Sequence, residues 1–262
     1  RPSPEELFEC VLRNQPAVIR GCLDEQGFPP LHDFSDFSYL RARCGHRRVQ
    51  LKADKLLDRD GRRYFVDDPT EEATLSDFLA LLEDAERRRA SPTRYLGKSN
   101  LCQVAPELAE DIAVAPNAPL TQFGSCFGPN THGVHTYLGC GFNTTPVHCD
   151  SGENLLAVLA GTKRFDLYPP TDADCLYIVQ KINSSVPPFV PPDAMPEDLA
   201  GRCPLYRHAT PIRVDLEKGD VLYLPIFWWH GVTGGAERNM LVNWWCDVHP
   251  RKAEIAAASE GA

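Results

Sequence analysis

A histidine and a carboxylate share the short stretch TPVHCD at residues 145–150 of this 262-residue sequence. His148 and Asp150 lie two positions apart, so on a β-strand both side chains point to the same face. Fifteen positions after the histidine comes a lysine, Lys163. A salt bridge would explain the pair of residues, but it would not explain the lysine.

A third candidate is His230, which ends the aromatic run in GDVLYLPIFWWHGV. Two imidazoles and one carboxylate form the facial ligand set of non-haem Fe(II), which leaves positions open for a bidentate 2-oxo acid and for O₂. The far carboxylate of a 2-oxo diacid needs a cation if it is buried, and Lys163 would supply one. Ordinary packed or surface histidines are the alternative, and the residues alone leave both interpretations open.

The elements that must position these residues are short strands. From about residue 120 to 248, apolar runs alternate with Gly, Pro and Asp, a pattern typical of an antiparallel sandwich or barrel. We therefore predict a mainly β core over residues 119–250. Residues 171–209 interrupt it, and the prolines of SSVPPFVPPDAMPED cannot join a central strand. This Pro-rich insertion is expected to loop over an edge or the mouth of the barrel.

Residues 1–118 are predicted to form an α+β region that packs on the barrel. Ser3, Pro4 and Glu6 have the spacing of a capping box at the start of a helix. Further helices are predicted in DFSDFSYLRARCG and TLSDFLALLEDAERRR, and strands in QPAVIRG, RRVQLKA and RRYFVDD. Residues 251–262 are predicted to be a short tail.

Composition limits the classes of partner. The hydrophobic fraction of 43% and the charged fraction of 24% are ordinary for a globular protein. No apolar run has the length needed to span a bilayer, so no membrane partner is expected. The formal net charge of −9 disfavours nucleic acid and favours a protein or peptide substrate, in particular a basic one.

Cysteine usage indicates the compartment. The ten cysteines form no C-x-x-C motif, so a structural zinc site is not expected. They lie among apolar neighbours, which is typical of buried reduced thiols. The sequence therefore predicts an intracellular protein of the nucleus or cytoplasm.

The stretch TPVHCDSGENLLAVLAGTKRFDLYPP resembles the JmjC-domain (cupin-like) Fe(II)/2-oxoglutarate oxygenases, and in particular their small hydroxylase branch, which includes the factor-inhibiting-HIF asparaginyl hydroxylase. That family has T/S-P-x-H-x-D, then Asn six and Lys fifteen residues after the histidine; these offsets give Asn154 and Lys163. GDVLYLPIFWWHGV is similar to the family's G-D-x-x-x-x-P-x-x-W-x-H element, and VNWW to a later strand. RYLGKSNLCQVAPELAEDI is similar to the segment before the barrel. The resemblance covers nearly the whole chain.

The resemblance implies a double-stranded β-helix (jelly-roll or cupin) core, with Fe(II), 2-oxoglutarate and O₂ as cofactor and co-substrates. The residues that it implies are His148, Asp150 and His230 as iron ligands, Lys163 as the partner of the distal carboxylate, Thr145 and Tyr95 as hydroxyl donors, and Asn154 and Asn243 as amides beside the co-substrate. Tyr137 is a further candidate for the pocket wall. Because the tail is short, the C-terminal dimer interface of the small hydroxylase branch is not expected.

The resemblance leaves the substrate open. Hydroxylation of a protein or peptide side chain, with succinate and CO₂ as co-products, is favoured. A likeness to the tRNA wybutosine hydroxylase keeps an RNA or small-molecule hydroxylase as an alternative. A histone or protein lysine demethylase and a non-catalytic cupin-like binding module are the others. The four tryptophans are expected to pack around the barrel, and Cys149 is given no role.

Overall fold

The computed structural model describes residues 2–53, 63–64, 70–88, 94–179 and 183–260. The helices are α1 Pro4–Leu12, α2 Pro30–Asp33, α3 Phe37–Cys44, α4 Leu75–Arg88, α5 Leu101–Val104, α6 Pro106–Ala113, α7 Pro119–Phe123, α8 Glu197–Arg202 and α9 Pro250–Glu260. The strands are β1 Ala17–Ile19, β2 Arg48–Ala53, β3 Arg63–Tyr64, β4 Thr70–Thr74, β5 Arg94–Asn100, β6 Val134–Gly139, β7 Asn143–Cys149, β8 Glu153–Ala160, β9 Thr162–Tyr168, β10 Ile178–Val179, β11 Asn183–Ser184, β12 Ile212–Glu217, β13 Val221–Leu224, β14 Trp229–Gly234 and β15 Asn239–Cys246.

Two facing antiparallel sheets form the core. One runs β13-β8-β15-β6 and the other β7-β14-β9-β12. Strands β6 to β9 alternate between the two sheets, and strands β12 to β15 do so again. This is the jelly-roll arrangement, in which two Greek keys wrap around one interior. The predicted fold class is confirmed.

The first hundred residues continue the larger sheet on both sides. β1 pairs with β13 at one edge, and β5, β2 and β4 extend the sheet beyond β6 at the other. The predicted capping box is present at the start of α1. Ser3 Oγ accepts a hydrogen bond from the backbone N–H of Glu6, and Glu6 Oε2 accepts one from the backbone N–H of Ser3. In the predicted RRYFVDD strand, Arg63–Tyr64 is a strand, and residues 65–69 lie outside the described residues.

Side chains of alternating parity fill two separate layers. On β8, Leu156 and Val158 pack between the two sheets with Phe165 and Leu167 of β9. The odd-numbered residues of β8 point the other way, into a larger cluster beneath the N-terminal helices. Strands with both faces buried read as continuous apolar runs, which explains ENLLAVLA. Within the described ranges, no helix is long and apolar enough to cross a membrane.

The Pro-rich insertion covers the outer face of the smaller sheet. Its Leu176 and Tyr206 pack on Tyr168 and Trp229 in a third cluster. A side chain at Gly231 of β14 would place its Cβ 2.7 Å from the Cβ of Pro188, so the insertion lies directly on the strand that carries His230. The insertion also reaches the sheet edge, because β11 pairs with β7.

Residues 251–260, which were predicted to belong to a short tail, lie in the helix α9. Lys252 of this helix is buried and pairs with the carboxylate of Glu153, which is fully buried at the start of β8. Tyr223 donates a hydrogen bond to the same carboxylate at 2.8 Å. The helix is therefore tied to the strand that begins three residues after Asp150. The ion pair between Lys252 and Glu153 was not predicted, because nothing in the sequence distinguishes Lys252 from an ordinary surface lysine.

Candidate functional site

Three candidate metal ligands converge at one end of the smaller sheet. His148 on β7 and His230 on β14 are register partners, and their ring centroids lie 4.2 Å apart. Asp150 directly follows β7, and its Oδ2 lies 3.7 Å from His230 Nε2. One ligand atom from each of the three residues lies within 4.8 Å of the others. The spacing inferred from the sequence thus corresponds to a compact donor set.

Backbone carbonyls fix the tautomer of both histidines. His148 Nδ1 lies 2.9 Å from the Pro146 carbonyl oxygen, and His230 Nδ1 lies 3.0 Å from that of Trp228. A carbonyl only accepts hydrogen bonds, so each Nδ1 carries the hydrogen and each Nε2 keeps its lone pair. Burial, and then the charge of His148, lower the pKa of His230 to about 4. His230 is therefore a neutral imidazole at physiological pH, the form that binds a metal.

The carboxylate of Asp150 is the anionic member of the set. Burial by itself would raise its pKa, but the charges that His230 and His148 carry when protonated, and the charge of Lys98, hold the pKa below its usual value. The indole Nε1 of Trp245 donates a hydrogen bond to Asp150 Oδ2 at 3.2 Å. Asp150 is thus held ionised and oriented, as a carboxylate ligand requires.

A β-bulge brings Thr145 to the same side as His148. Between the register pairs His148↔His230 and Thr145↔Val232, β7 advances three residues while β14 advances two. The extra residue reverses the alternation of faces, so Thr145 and His148 both line one cavity although they are three apart. Pro146 has no N–H to donate to the ladder and is accommodated at such a site.

The cavity has a volume of about 240 Å³ and brings together all eight residues that were predicted to bind the metal or the co-substrate. They are Tyr95, Thr145, His148, Asp150, Asn154, Lys163, His230 and Asn243. Other residues of the wall include Tyr137, Leu156, Phe165, Leu241 and Trp245.

The amine of Lys163 is buried inside this cavity. Its side chain belongs to β9, it is 2% exposed, and its Nζ lies 5.5 Å from the centroid of the Tyr95 ring. Within the described ranges it makes no ion pair, and burial lowers its pKa to about 7. A buried ammonium group without a counter-ion is costly, and an anion in the cavity would remove that cost.

Two amides complete the polar wall. Asn243 Nδ2 donates to Asn154 Oδ1 at 2.8 Å, whereas Asn243 Oδ1 is buried without a hydrogen-bond partner in the described structure. Buried polar atoms are normally satisfied, so this orphan indicates that the cavity receives a polar group or water. Together with the neutral imidazoles, Asp150 and the unpaired Lys163, these residues fit a divalent metal and a dianionic 2-oxo acid.

A comparison with protein families matches residues 2–252 to the cupin-like domain. The chain belongs to the cupin-like JmjC family. Several curated proteins are similar over nearly the whole chain, including the three that follow. The human bifunctional peptidase and (3S)-lysyl hydroxylase JMJD7 is 28% identical over 94% of this chain and 82% of its own length. The Arabidopsis thaliana lysine-specific demethylase JMJ32 is 27% identical over 95% and 80%.

The third is the Drosophila melanogaster Jumonji C domain-containing protein 5, which is 27% identical over 93% of this chain. The chain spans 58% of the length of that relative. Fe(II) and 2-oxoglutarate are the usual requirements of JmjC proteins, and the His148, Asp150 and His230 group is a donor set for such a metal. The sequence resemblance to this family is confirmed.

Trp245 and Lys98 are among the residues of this JmjC cavity that were not expected to face it. Trp245 was grouped with the tryptophans that pack around the barrel, yet it lines the cavity and contacts Asp150. Its position two residues after Asn243 on β15 was the available signal. Lys98 also lines the cavity, and the parity of β5 gave no signal for it.

Cys149 lies between two candidate ligands in sequence but on the opposite face of the strand. It packs against the outer cluster that contains Val147 and Trp229. Burial, and then the charge of Asp150, raise the pKa of its thiol. Cys149 is therefore a protonated packing residue beneath the Pro-rich insertion.

Proposed function

We propose that this protein is an Fe(II)- and 2-oxoglutarate-dependent oxygenase that hydroxylates a side chain of a protein or peptide. The observation that carries the proposal is the placement of the unpaired, buried Lys163 in the cavity that also contains His148, Asp150 and His230. A metal site alone would be compatible with many reactions. A metal site that shares a cavity with a buried lysine selects a co-substrate that both chelates and carries a second negative charge.

In this proposal His148, Asp150 and His230 hold the metal, and Lys163 pairs with the distal carboxylate of 2-oxoglutarate. Thr145 and Tyr95 line the same cavity and provide hydroxyl groups for that carboxylate. When bound, Fe(II) together with 2-oxoglutarate supplies the oxidising chemistry, in which 2-oxoglutarate and O₂ yield succinate, CO₂ and a hydroxylated product.

The remaining wall residues orient the co-substrate and exclude water. Asn154 and Asn243 are joined to each other and present amide groups beside the triad. Leu156, Phe165 and Leu241 give the cavity apolar walls. Such walls keep bulk water from an oxidising centre.

The names of two relatives and the net charge of the chain support a protein substrate. The human relative is named as a lysyl hydroxylase and the Arabidopsis relative as a lysine-specific demethylase. Both names point to a side chain of a protein, which we propose for this chain as well. The net charge of −9 supports approach of a basic protein in preference to a nucleic acid. Ten free cysteines support an intracellular location, in the nucleus or cytoplasm.

Formation of succinate from 2-oxoglutarate tests the proposal. Purified protein is supplied with Fe(II), ascorbate, O₂ and 2-oxoglutarate, and wild type is compared with His148→Ala. The matched control is His32→Ala, because the His32 side chain is exposed, lies beside Asp33 and is not among the residues that line the cavity. Wild type and the control should form succinate at equal rates, and His148→Ala should form almost none. Absence of succinate from wild type, or equal rates in all three, would refute the oxygenase.

Mass spectrometry of peptides recovered from the reaction separates the two outcomes named by the relatives. Gain of one oxygen atom identifies hydroxylation, and loss of one methylene unit identifies demethylation.

A further inference from the structure

Lys98 is directed at the cavity by an irregularity in β5. Between the register pairs Leu96↔Leu138 and Ser99↔Thr136, β5 advances three residues while β6 advances two. Gly97 and Lys98 form this bulge, and both line the cavity. Lys98 has a φ of 51°, in the left-handed region that non-glycine residues seldom occupy. Bulges that redirect a side chain, and residues held in this region, are concentrated at functional sites.

The Trp245 side chain lies between the ammonium group of Lys98 and the candidate metal ligand Asp150. Its Nζ is 5.0 Å from the centroid of the Trp245 ring, and Trp245 Nε1 donates to Asp150. Lys98 is exposed, so it occupies the open side of the cavity, whereas Lys163 is buried within it. With the residues that the structure describes, Lys98 forms no ion pair. Its position suits a contact with an incoming group.

Charge balance shows which kind of group that is. The charges of a divalent metal, dianionic 2-oxoglutarate, Asp150 and protonated Lys163 sum to zero. Lys98 then supplies a positive charge beside the space that the substrate must enter. A second cation brought next to Lys98 would be repelled, and an anion would be attracted.

We propose that Lys98 determines substrate specificity by pairing with a carboxylate on the target side chain, so that the enzyme accepts an acidic residue and disfavours lysine or arginine. The inference rests on the proposed oxygenase function. It does not conflict with the net negative charge, which acts at long range on the whole partner protein. Lys98 acts only on the side chain that enters the cavity. The target thus differs from the lysine for which the human relative is named.

Binding of two peptides tests this proposal. The probes are fluorescein-labelled peptides of Gly, Ser and Ala that differ only in a central Asp or Lys. The full chain is loaded with Mn(II) and N-oxalylglycine, a non-reacting analogue of 2-oxoglutarate, and Kd is measured by fluorescence anisotropy. Wild type should bind the Asp peptide about three- to fivefold more tightly than the Lys peptide, as expected for one exposed charge pair.

Two variants keep the backbone of the bulge. Asn and Asp tolerate the left-handed region, so Lys98→Asn and Lys98→Asp remove and reverse the charge with little strain. Lys98→Asn should abolish the preference, and Lys98→Asp should invert it. Lys218→Asp is the matched control, because Lys218 lies outside the cavity in an ion pair with Glu25, and it should keep the wild-type preference.

Equal binding of the two peptides by wild type, including undetectable binding of both, would overturn the proposal. Tighter binding of the Lys peptide, or a preference that survives in Lys98→Asn, would overturn it as well. Substrate-independent succinate formation by wild type separates this result from the oxygenase function. Succinate formation without a charge preference refutes only the role of Lys98, whereas absence of succinate refutes the function itself.

Discussion

His148 on β7 lies directly opposite His230 on β14, and both rings donate their Nδ1 hydrogen to a backbone carbonyl two residues earlier in the chain. The strand ladder therefore fixes the separation of the two imidazoles, and the carbonyls fix their tautomer. Asp150 joins them because it follows the same strand by two positions. The donor set is thus preorganised by backbone structure, and little rearrangement is needed when a metal binds.

Metal binding should accordingly depend on each of the three ligands. We expect saturating Mn(II) to raise the melting temperature of wild type by roughly 5 °C, since a ligand at about 100 times its Kd adds about 2.7 kcal/mol to the free energy of unfolding. His230→Ala should show almost no increase. His32→Ala, which changes an exposed histidine, should behave like wild type. Differential scanning calorimetry with and without Mn(II) measures both values, and an equal increase in His230→Ala would contradict the proposed site.

Sequence spacing predicted the ligands because regular strands keep their parity. His148 and Asp150 are two apart, and Asn243 and Trp245 are two apart, so each pair shares a face. Lys163 was found by its offset of fifteen from His148, and on β9 it has the same parity as Phe165 and Leu167, which face the interior. For regular strands, the spacing of residues in the sequence is therefore sufficient to predict which side chains share a face.

Bulges broke that rule at two positions. Thr145 shares a face with His148 only because β7 contains an extra residue at its bulge. Lys98 faces the cavity only because β5 also contains an extra residue. No local pattern of apolar residues marks either bulge, since each depends on the register with a strand distant in sequence. Thr145 was found through resemblance to a family, and the cavity position of Lys98 was not found.

Replacement of Lys163 should weaken binding of 2-oxoglutarate specifically. Lys163→Met keeps the length and packing of the buried stem but removes the charge. We expect the affinity for 2-oxoglutarate to fall about thirty- to one-hundredfold, the value of a charge-assisted hydrogen bond in a buried site. Calorimetric titration of the Mn(II)-loaded protein measures the change.

The control is 2-oxopentanoate, which keeps the chelating end of 2-oxoglutarate but ends in a methyl group. Its affinity should be nearly the same in wild type and Lys163→Met. A similar loss for both ligands would show that the substitution disturbs the metal centre, and it would remove the assigned role of Lys163.

The low pKa of Lys163 predicts a pH dependence of the metal-free protein. Burial lowers the folded-state pKa from 10.5 to about 7. Between these two values the unfolded chain binds the proton and the folded chain does not, so the free energy of unfolding rises with pH in this window. Below pH 7 the unfavourable contribution is complete and constant. The rise should approach about 1.4 kcal/mol per pH unit.

Urea unfolding of wild type and Lys163→Met at several pH values above 7 isolates this contribution. Other groups titrate equally in both proteins, so the difference between the two slopes belongs to Lys163. The variant should be the more stable protein near pH 7, with an advantage that shrinks as the pH rises. Parallel pH profiles would mean that the lysine keeps its proton in the folded state.

Two cross-strand ion pairs on β9 and β12 should differ in their contribution to stability. The Asp166 carboxylate is fully buried and accepts a hydrogen bond from Arg213 Nε at 2.8 Å. It also accepts a hydrogen bond from the backbone amide of Phe189, in the insertion, at 2.8 Å. Asp215 pairs with Arg164 on the same two strands, but its side chain is 61% exposed. We expect Asp166→Ala to cost about 2–3 kcal/mol, because it leaves an amide and a guanidinium group without their acceptor. Asp215→Ala should cost less than about 1 kcal/mol.

Urea unfolding gives both free energies, and limited proteolysis gives a second measurement. Because Asp166 holds the backbone of Phe189, its loss should speed cleavage within residues 185–196, whereas Asp215→Ala should leave that rate unchanged. Equal costs in the two variants would show that partial exposure of Arg213 already weakens the Asp166 pair. Unchanged cleavage in Asp166→Ala would show that the contact of Pro188 with Gly231 is sufficient to hold the insertion on β14.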